Sequence, residues 1–178
     1  MPVEVKGAIA LRKALRQFEP DLAKETTREI ASFLKPVVKQ ARGFLPSNAD
    51  VPSGWLKLPN AKGKWADRYY DKAVANRGIG YKSTPSKPNR NGFRSLASLY
   101  SRAIGKNAAG AIYETAGRKS GVSGNFTPKL PGQLVGKNQK MKGRALFRAF
   151  AEDEGKVEGH VIRAIERAAV KLNSRSKL

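Results

Sequence analysis

Proline and glycine are so frequent in residues 45–92 that long regular elements are expected only on either side of them. Proline fixes φ and removes a backbone donor, and glycine loses the most conformational entropy on entering a helix or strand. We therefore predict an extended basic arm, residues 46–92, within a single domain spanning residues 1–178. Five residues of each type alternate in this stretch: Pro46, Pro52, Pro59, Pro85, Pro88, Gly54, Gly63, Gly78, Gly80 and Gly92.

The two ends of the chain have the periodicity of amphipathic helices. Apolar residues recur at steps of three and four over residues 22–44 and again over residues 147–172. Pro20 and Asp21 are predicted to begin the first of these helices, because proline is tolerated at a helix start and an acidic side chain complements the dipole there. Pro36 lies inside the pattern and is expected to bend the helix.

Shorter elements are predicted around and between these helices. A short helix over residues 9–18 precedes the first long one, and the final helix, from about residue 144, is interrupted by Gly155 and Gly159. Residues 78–84 and 93–100 are predicted strands, joined by a turn region of Pro, Asn and Gly. Residues 107–117 fit a short helix with Asn107 as N-cap and Gly117 at its exit, although 112–115 also fits a strand.

These elements predict an α+β fold. In this fold a small antiparallel sheet is packed by long N-terminal and C-terminal helices, with long basic loops between them.

Positive charge is concentrated in the middle of the chain. The 178 residues include 35 Lys+Arg and 14 Asp+Glu, for a formal net charge of +21. Residues 45–117 and residues 118–151 each contribute +8, and the second segment has eight bases and no acid. Such a surface indicates a polyanion or an acidic partner. Within a predicted basic loop over 118–143 and its borders, the bases expected to face that partner are Arg118, Lys119, Lys129, Lys137, Lys140 and Lys142.

The sequence offers little for catalysis or for metal binding. It has no cysteine, and its one histidine, His160, is expected to be structural. Residues 132–138 depart from a phosphate-binding loop, which needs four residues between its glycines and Ser or Thr after the lysine. Residues 152–154 are consecutive acids whose side chains would point in different directions on a helix. We therefore predict no catalytic residue, no metal and no cofactor.

Membrane association is not expected either. No apolar run approaches the roughly 18 residues that a membrane-spanning helix needs, and no signal-peptide pattern follows Met1. We expect a protein made in the cytoplasm.

Three segments, taken in order, point to one family. The first runs from VEVKGAIALRKAL into a long helix ending KPVVKQARGFLP, which contains Pro36. The second, AAGAIYETAGRKS, contains Glu114 and Gly117, and the third, KGRALFRAFAEDEGKVEGHVIRAIERA, contains Arg144 and Phe147. In this combination the chain resembles the neck or tail-completion proteins of long-tailed phages, small head–tail joining proteins of the minor tail protein Z-like kind. The third segment has Ala-Leu-Phe where the family has Pro-Phe-Leu.

The resemblance implies a non-enzymatic structural protein of the virion, located at the head–tail junction. It implies a homo-oligomeric ring, expected to contain six copies, around a channel for double-stranded DNA. Its partners would be the head-completion or stopper protein and the tail terminator or tail tube protein.

The charge alone leaves an alternative, a sequence-independent nucleic-acid-binding protein of the ribosomal or nucleoid type. An enzyme such as a nuclease would require a convergent set of carboxylates or histidines, which the sequence does not suggest. Whether the basic loops face DNA or protein stays open at this point.

Overall fold

The structure is a computed structural model, and it describes residues 7–55, 69–92, 94–102, 108–118, 127–136 and 141–175. The predicted α+β class is confirmed, since helices dominate these residues and two short strands form one antiparallel sheet. The elements in chain order are α1 (Ala8–Phe18), α2 (Pro20–Gly43), α3 (Lys72–Gly78), β1 (Ile79–Lys82), β2 (Ser98–Ser101), α4 (Ala109–Thr115), α5 (Leu146–Glu152) and α6 (Lys156–Arg175). Single 3₁₀ turns occur at Ser53–Trp55 and Thr127–Lys129.

Helix α2 begins and ends where its pattern predicts. Pro20 is its first residue, Asp21 lies in its first turn, and Pro36 sits inside the helix without ending it. The hydroxyl of Thr26 is on the buried side and donates to the Leu22 carbonyl at 2.8 Å, so its polar group is satisfied within the helix. The predicted helix from Pro20 to Gly43 is therefore confirmed.

The chain divides into two compact units. The first contains Met1–Pro36, Tyr81–Ser98 and Gly155–Leu178, and the second contains Val37–Gly80 and Leu99–Glu154. In the first unit, helices α1 and α6 contact each other around a small core of Leu15, Leu22 and Ala168.

In the second unit, helices α3 and α4 pack closely. A Cβ added at Gly110 would lie 3.1 Å from the Cβ of Ala75, so the two backbones approach each other where both side chains are small.

The two strands lie where the sequence predicts them, but they are shorter. At the sheet's end, the Arg102 N–H donates to the Gly78 carbonyl at 3.1 Å, and a Cβ on Gly78 would stand only 2.4 Å from the Arg102 carbonyl oxygen. At Gly80, a Cβ would stand 2.6 Å from the Tyr100 hydroxyl oxygen. Glycine is needed at Gly78 because backbone already fills the space of a side chain, whereas a side chain at Gly80 would have to displace the Tyr100 ring.

The C-terminal region differs from the prediction of one interrupted helix. Helix α5 ends at Glu152 and α6 starts at Lys156, because Glu154 (φ 54°) and Gly155 (φ 83°) adopt left-handed conformations between them. Gly159, by contrast, lies inside α6 and does not interrupt it.

The short helix over 107–117 is confirmed as α4, although Asn107 lies outside the described residues and Ala108 is the N-cap. Gly117 follows the helix with φ 81°, as its predicted place at the exit requires. Among the residues that the structure describes, no helix is both long enough and apolar enough to cross a membrane.

Candidate functional site

Glu114 caps a helix that begins 32 positions further along the chain. It is the only acid between Asp71 and Glu152, and it is 2% exposed. Its Oε2 accepts hydrogen bonds from the backbone N–H groups of Ala145 (2.9 Å) and Leu146 (3.0 Å), and its Oε1 accepts one from Phe147 (2.8 Å). The first N–H groups of a helix have no partner within it, and the helix dipole favours a negative group beside them. Glu114 thereby supplies hydrogen-bond acceptors for the free backbone N–H groups at the start of α5.

Arg144 makes the reciprocal contact with α4. It is 3% exposed, and its Nη1 donates to the carbonyls of Tyr113 (3.2 Å) and Ala116 (2.5 Å) at the C-terminal end of α4. Burial lowers the pKa of Arg144, and the nearby negative charge of Glu114 acts in the opposite direction. Glu114 of α4 therefore binds the free N–H groups at the start of α5, and Arg144, which precedes α5, binds the free carbonyls at the end of α4.

Two glycines leave room for this exchange, which we call the α4–α5 junction: residues 113–118 and 142–147. A Cβ on Gly143 would lie 2.0 Å from Oε1 of Glu114, so any side chain there would displace the carboxylate. Gly117 has φ 81° and its Cβ would lie 2.4 Å from Cγ2 of Thr127. Both positions therefore require glycine for a steric reason.

The ring of Phe147 completes the junction. The Arg118 guanidinium carbon lies 4.6 Å from the centre of that ring, and Nε of Arg118 donates to the Lys142 carbonyl. Four of the five residues that carry the family resemblance, Glu114, Gly117, Arg144 and Phe147, are thus brought together, while Pro36 lies in α2.

The structure describes three of the six bases expected to face a polyanion. Lys129 is exposed at the end of a 3₁₀ turn, whereas Lys142 is half-buried. Arg118 is also half-buried, and its guanidinium already contacts the Lys142 carbonyl and the Phe147 ring within the junction. The other three, Lys119, Lys137 and Lys140, lie outside the described residues.

A second basic surface lies on the loop between β1 and β2, which we call the basic hairpin: the described residues of 82–95. Its four bases are Lys82, Lys87, Arg90 and Arg94, and all four are exposed. Within the part of the chain that the structure describes, no carboxylate forms an ion pair with any of them.

Sequence reasoning missed this surface because it averaged charge over residues 45–117. The four acids of that segment are Asp50, Asp67, Asp71 and Glu114, so residues 72–113 contain eight bases and no acid. The positions of the acids, and not their number, were the available signal.

Arg12 holds the basic hairpin at its base. This side chain is 5% exposed and donates to the Leu96 carbonyl (3.0 Å), the Ser83 carbonyl (2.7 Å) and the Thr27 hydroxyl (3.2 Å). Burial, followed by repulsion from Arg16, lowers the pKa of Arg12 to about 10. Its acceptors include carbonyls on both sides of the hairpin, so one guanidinium fixes where the loop begins and ends.

Three acids of the first unit form ion pairs with bases of α6. Glu19 pairs with Arg175 at 2.6 Å, and two further pairs join Glu25 to Lys171 (2.5 Å) and Glu29 to Arg167 (2.7 Å). The hydrogen bond from Lys171 is the main cause that lowers the pKa of Glu25.

The remaining polar candidates have structural contacts. His160 stacks on Phe33 with ring centres 4.5 Å apart, and Asp71 caps α3 by accepting from the Ala73 and Val74 N–H groups. In the described part of the chain, no three His, Asp or Glu side chains are grouped so that they could hold a metal ion.

No protein-family model, no curated protein and no solved structure matches this chain.

Proposed function

We propose that this protein is a non-enzymatic structural component of the phage head–tail junction, a neck or tail-completion protein. It would form a ring around the DNA channel and join the connector to the tail. The observation that carries the proposal is the α4–α5 junction, in which Glu114 accepts from the Phe147 N–H, Arg144 donates to the Ala116 carbonyl, and Gly117 follows Ala116 with a positive φ. The matched positions of two separate sequence segments therefore correspond to one physical feature.

The charge distribution supports a ring around DNA. A ring of six copies would carry six times the net +21 of one chain, and so much like charge held together repels itself unless a polyanion compensates it. Double-stranded DNA in the channel would supply that compensation.

The chemistry of the junction supports a structural role. Glu114 has both oxygens occupied by backbone donors, and Arg144 donates to two backbone carbonyls, so these charged groups serve to connect helices. A protein whose work is to transmit contacts between neighbouring rings needs such rigid connections.

The test is disruption of this gene in the phage that carries it, followed by electron microscopy of the lysate. The proposal predicts DNA-filled heads and separate complete tails, and recovery of joined particles when the full chain is supplied in trans. Normal joined particles without the protein, or a gene found away from portal, adaptor and tail tube genes, would contradict it.

A second candidate function is favoured by the exposed basic hairpin: a free, sequence-independent nucleic-acid-binding protein. It predicts tight, salt-sensitive binding to DNA or RNA together with normal head–tail joining when the gene is disrupted. The lysate experiment therefore separates the two functions.

A further inference from the structure

We infer that the basic hairpin, and specifically Lys82, Lys87, Arg90 and Arg94, is a contact surface for the phosphate backbone of double-stranded DNA. This contact surface deepens the proposed function. It rests on that function only for the place in the particle at which the protein meets DNA. The contact surface itself is argued from four properties of the hairpin.

The first property is available positive charge. All four bases are exposed, and residues 72–113 contain no acid that could neutralise them locally. The contrast with α6 is direct, because Arg167, Lys171 and Arg175 are each paired with a carboxylate. Among the residues that the structure describes, no carboxylate would therefore have to be displaced from these bases by a phosphate.

The second property is internal order. Ser86 and Ser95 face each other: the Ser86 N–H donates to the Ser95 carbonyl (2.9 Å) and the Ser95 N–H to the Ser86 hydroxyl (3.0 Å). At the tip, the Gly92 N–H donates to the Asn89 carbonyl (3.0 Å) and the Asn91 N–H to the Asn89 side chain (2.9 Å). Gly92, the last residue of this turn, has φ 75°, a left-handed conformation that glycine adopts without steric cost.

The third property is a fixed base. Arg12 bonds the carbonyls of Ser83 and Leu96 on the two arms of the hairpin, and Pro85 and Pro88 restrict the backbone between the base and the tip. A charged loop that is ordered before binding loses less conformational entropy when it meets its partner.

The fourth property separates DNA from an acidic protein as the partner. Besides its bases, the exposed described residues of the hairpin are Thr84, Ser86, Pro88, Asn89, Asn91 and Gly92. Stable protein interfaces are anchored by large apolar and aromatic side chains, and Pro88 is the one apolar side chain among these exposed described residues. Lys and Arg beside Ser, Thr, Asn and backbone N–H groups are the donors that contact DNA phosphates.

Such contacts carry no base readout, so binding should be independent of sequence and strongly dependent on salt. In a plot of the logarithm of the binding constant against the logarithm of the salt concentration, each neutralised phosphate makes the negative slope steeper by about 0.9.

The experiment uses the purified full-length protein and a fluorescent 30-base-pair duplex, with affinity measured by anisotropy at several NaCl concentrations. The hairpin variant carries Lys82→Gln, Lys87→Gln, Arg90→Gln and Arg94→Gln. A matched control variant removes the same number and types of exposed charges from helices α1 and α2, with Arg16→Gln, Arg28→Gln, Lys35→Gln and Lys39→Gln. Circular dichroism must show the same helix content in all three proteins. If the quadruple hairpin variant does not fold, the single variants Lys87→Gln and Arg90→Gln are measured in its place.

We expect the salt slope of the hairpin variant to be shallower than that of the native protein by about 2 to 4, and that of the control by less than about 1. An equal change in both variants would overturn the inference, because net charge and not the hairpin would then explain binding. So would a hairpin variant that binds like the native protein, or a native protein that binds polyglutamate but not the duplex. No phage particle enters this assay, so these failures are distinct from failure of the head–tail proposal.

Discussion

Replacing Glu114 by glutamine tests whether one buried carboxylate connects α4 to α5. In the native protein Oε2 accepts two backbone N–H groups and Oε1 accepts a third, from Phe147. Glutamine can keep one oxygen in place, but its NH₂ group would then face an N–H donor. The variant therefore loses one hydrogen bond and the charge assistance of the other two.

The expected cost follows from those three bonds. A buried donor without a partner costs about 1–3 kcal/mol, and bonds to charged groups are worth about 1 kcal/mol more than neutral ones. We expect Glu114→Gln to lower the free energy of unfolding by about 3–5 kcal/mol, a large share of the roughly 5–15 kcal/mol typical of a folded protein. Urea titration followed by far-UV circular dichroism measures this loss of stability. Faster amide exchange at Ala145, Leu146 and Phe147 would place the lost contacts at the start of α5.

Glu152→Gln is the matched control because it makes the same substitution in the last turn of α5. Glu152 accepts from Arg148 at 2.8 Å and both side chains are partly exposed, so its loss should cost less than about 1 kcal/mol. Gly143→Ala approaches the contact from the other side, since its Cβ would displace Oε1 of Glu114. Equal stability of Glu114→Gln and Glu152→Gln, with unchanged exchange at the start of α5, would refute the reasoning.

Three further predictions concern other contacts. Arg12→Met should lower the free energy of unfolding by about 1–3 kcal/mol and speed amide exchange at Ser95 in the basic hairpin, because one buried and two partly buried hydrogen bonds are lost. Unchanged exchange at Ser95 would contradict the anchoring role of Arg12. Gly117→Ala should lower the free energy of unfolding by at least about 1 kcal/mol because residue 117 has a positive φ. Gly54→Ala should change the melting temperature little, since the space around a Cβ at residue 54 is open. Equal melting temperatures of the two variants would contradict the prediction for Gly117. Burial raises the pKa of Tyr70 above its ordinary value of 10.0, so the stability from its neutral phenol is fully present below pH 10 and declines at higher pH. The stability difference between native protein and Tyr70→Phe should therefore shrink above pH 10 in urea titrations, and a constant difference would contradict the assignment.

Periodicity was sufficient to predict the long helices α2 and α6 because their burial is one-sided and regular, whereas α3 lies inside the predicted 46–92 arm. The apolar steps from Leu22 to Phe44 led to α2 with its bounds, and the small residues before Gly117 led to α4. The break between α5 and α6 was harder to predict, since Gly155 and Gly159 look alike in sequence. Only the structure shows that Gly155 has a positive φ while Gly159 is helical.

The functional contacts depend on distance in space, which local patterns do not encode. Glu114 was marked by the family resemblance, but its role as the cap of α5 joins positions 31 to 33 residues apart. Arg12 is one of three bases in α1, and its burial against the Ser83 and Leu96 carbonyls distinguishes it from Lys13 and Arg16. The basic hairpin was detectable from the acid-free run of residues 72–113, which averaging over a longer segment concealed.

The most direct test of the proposed function is cryo-electron microscopy of the intact phage particle, reconstructed at the head–tail junction. We expect density for this chain to encircle the DNA channel between connector and tail, in a ring of six copies. Purified particles that lack the chain, with every density at the junction assigned to other proteins, would contradict it.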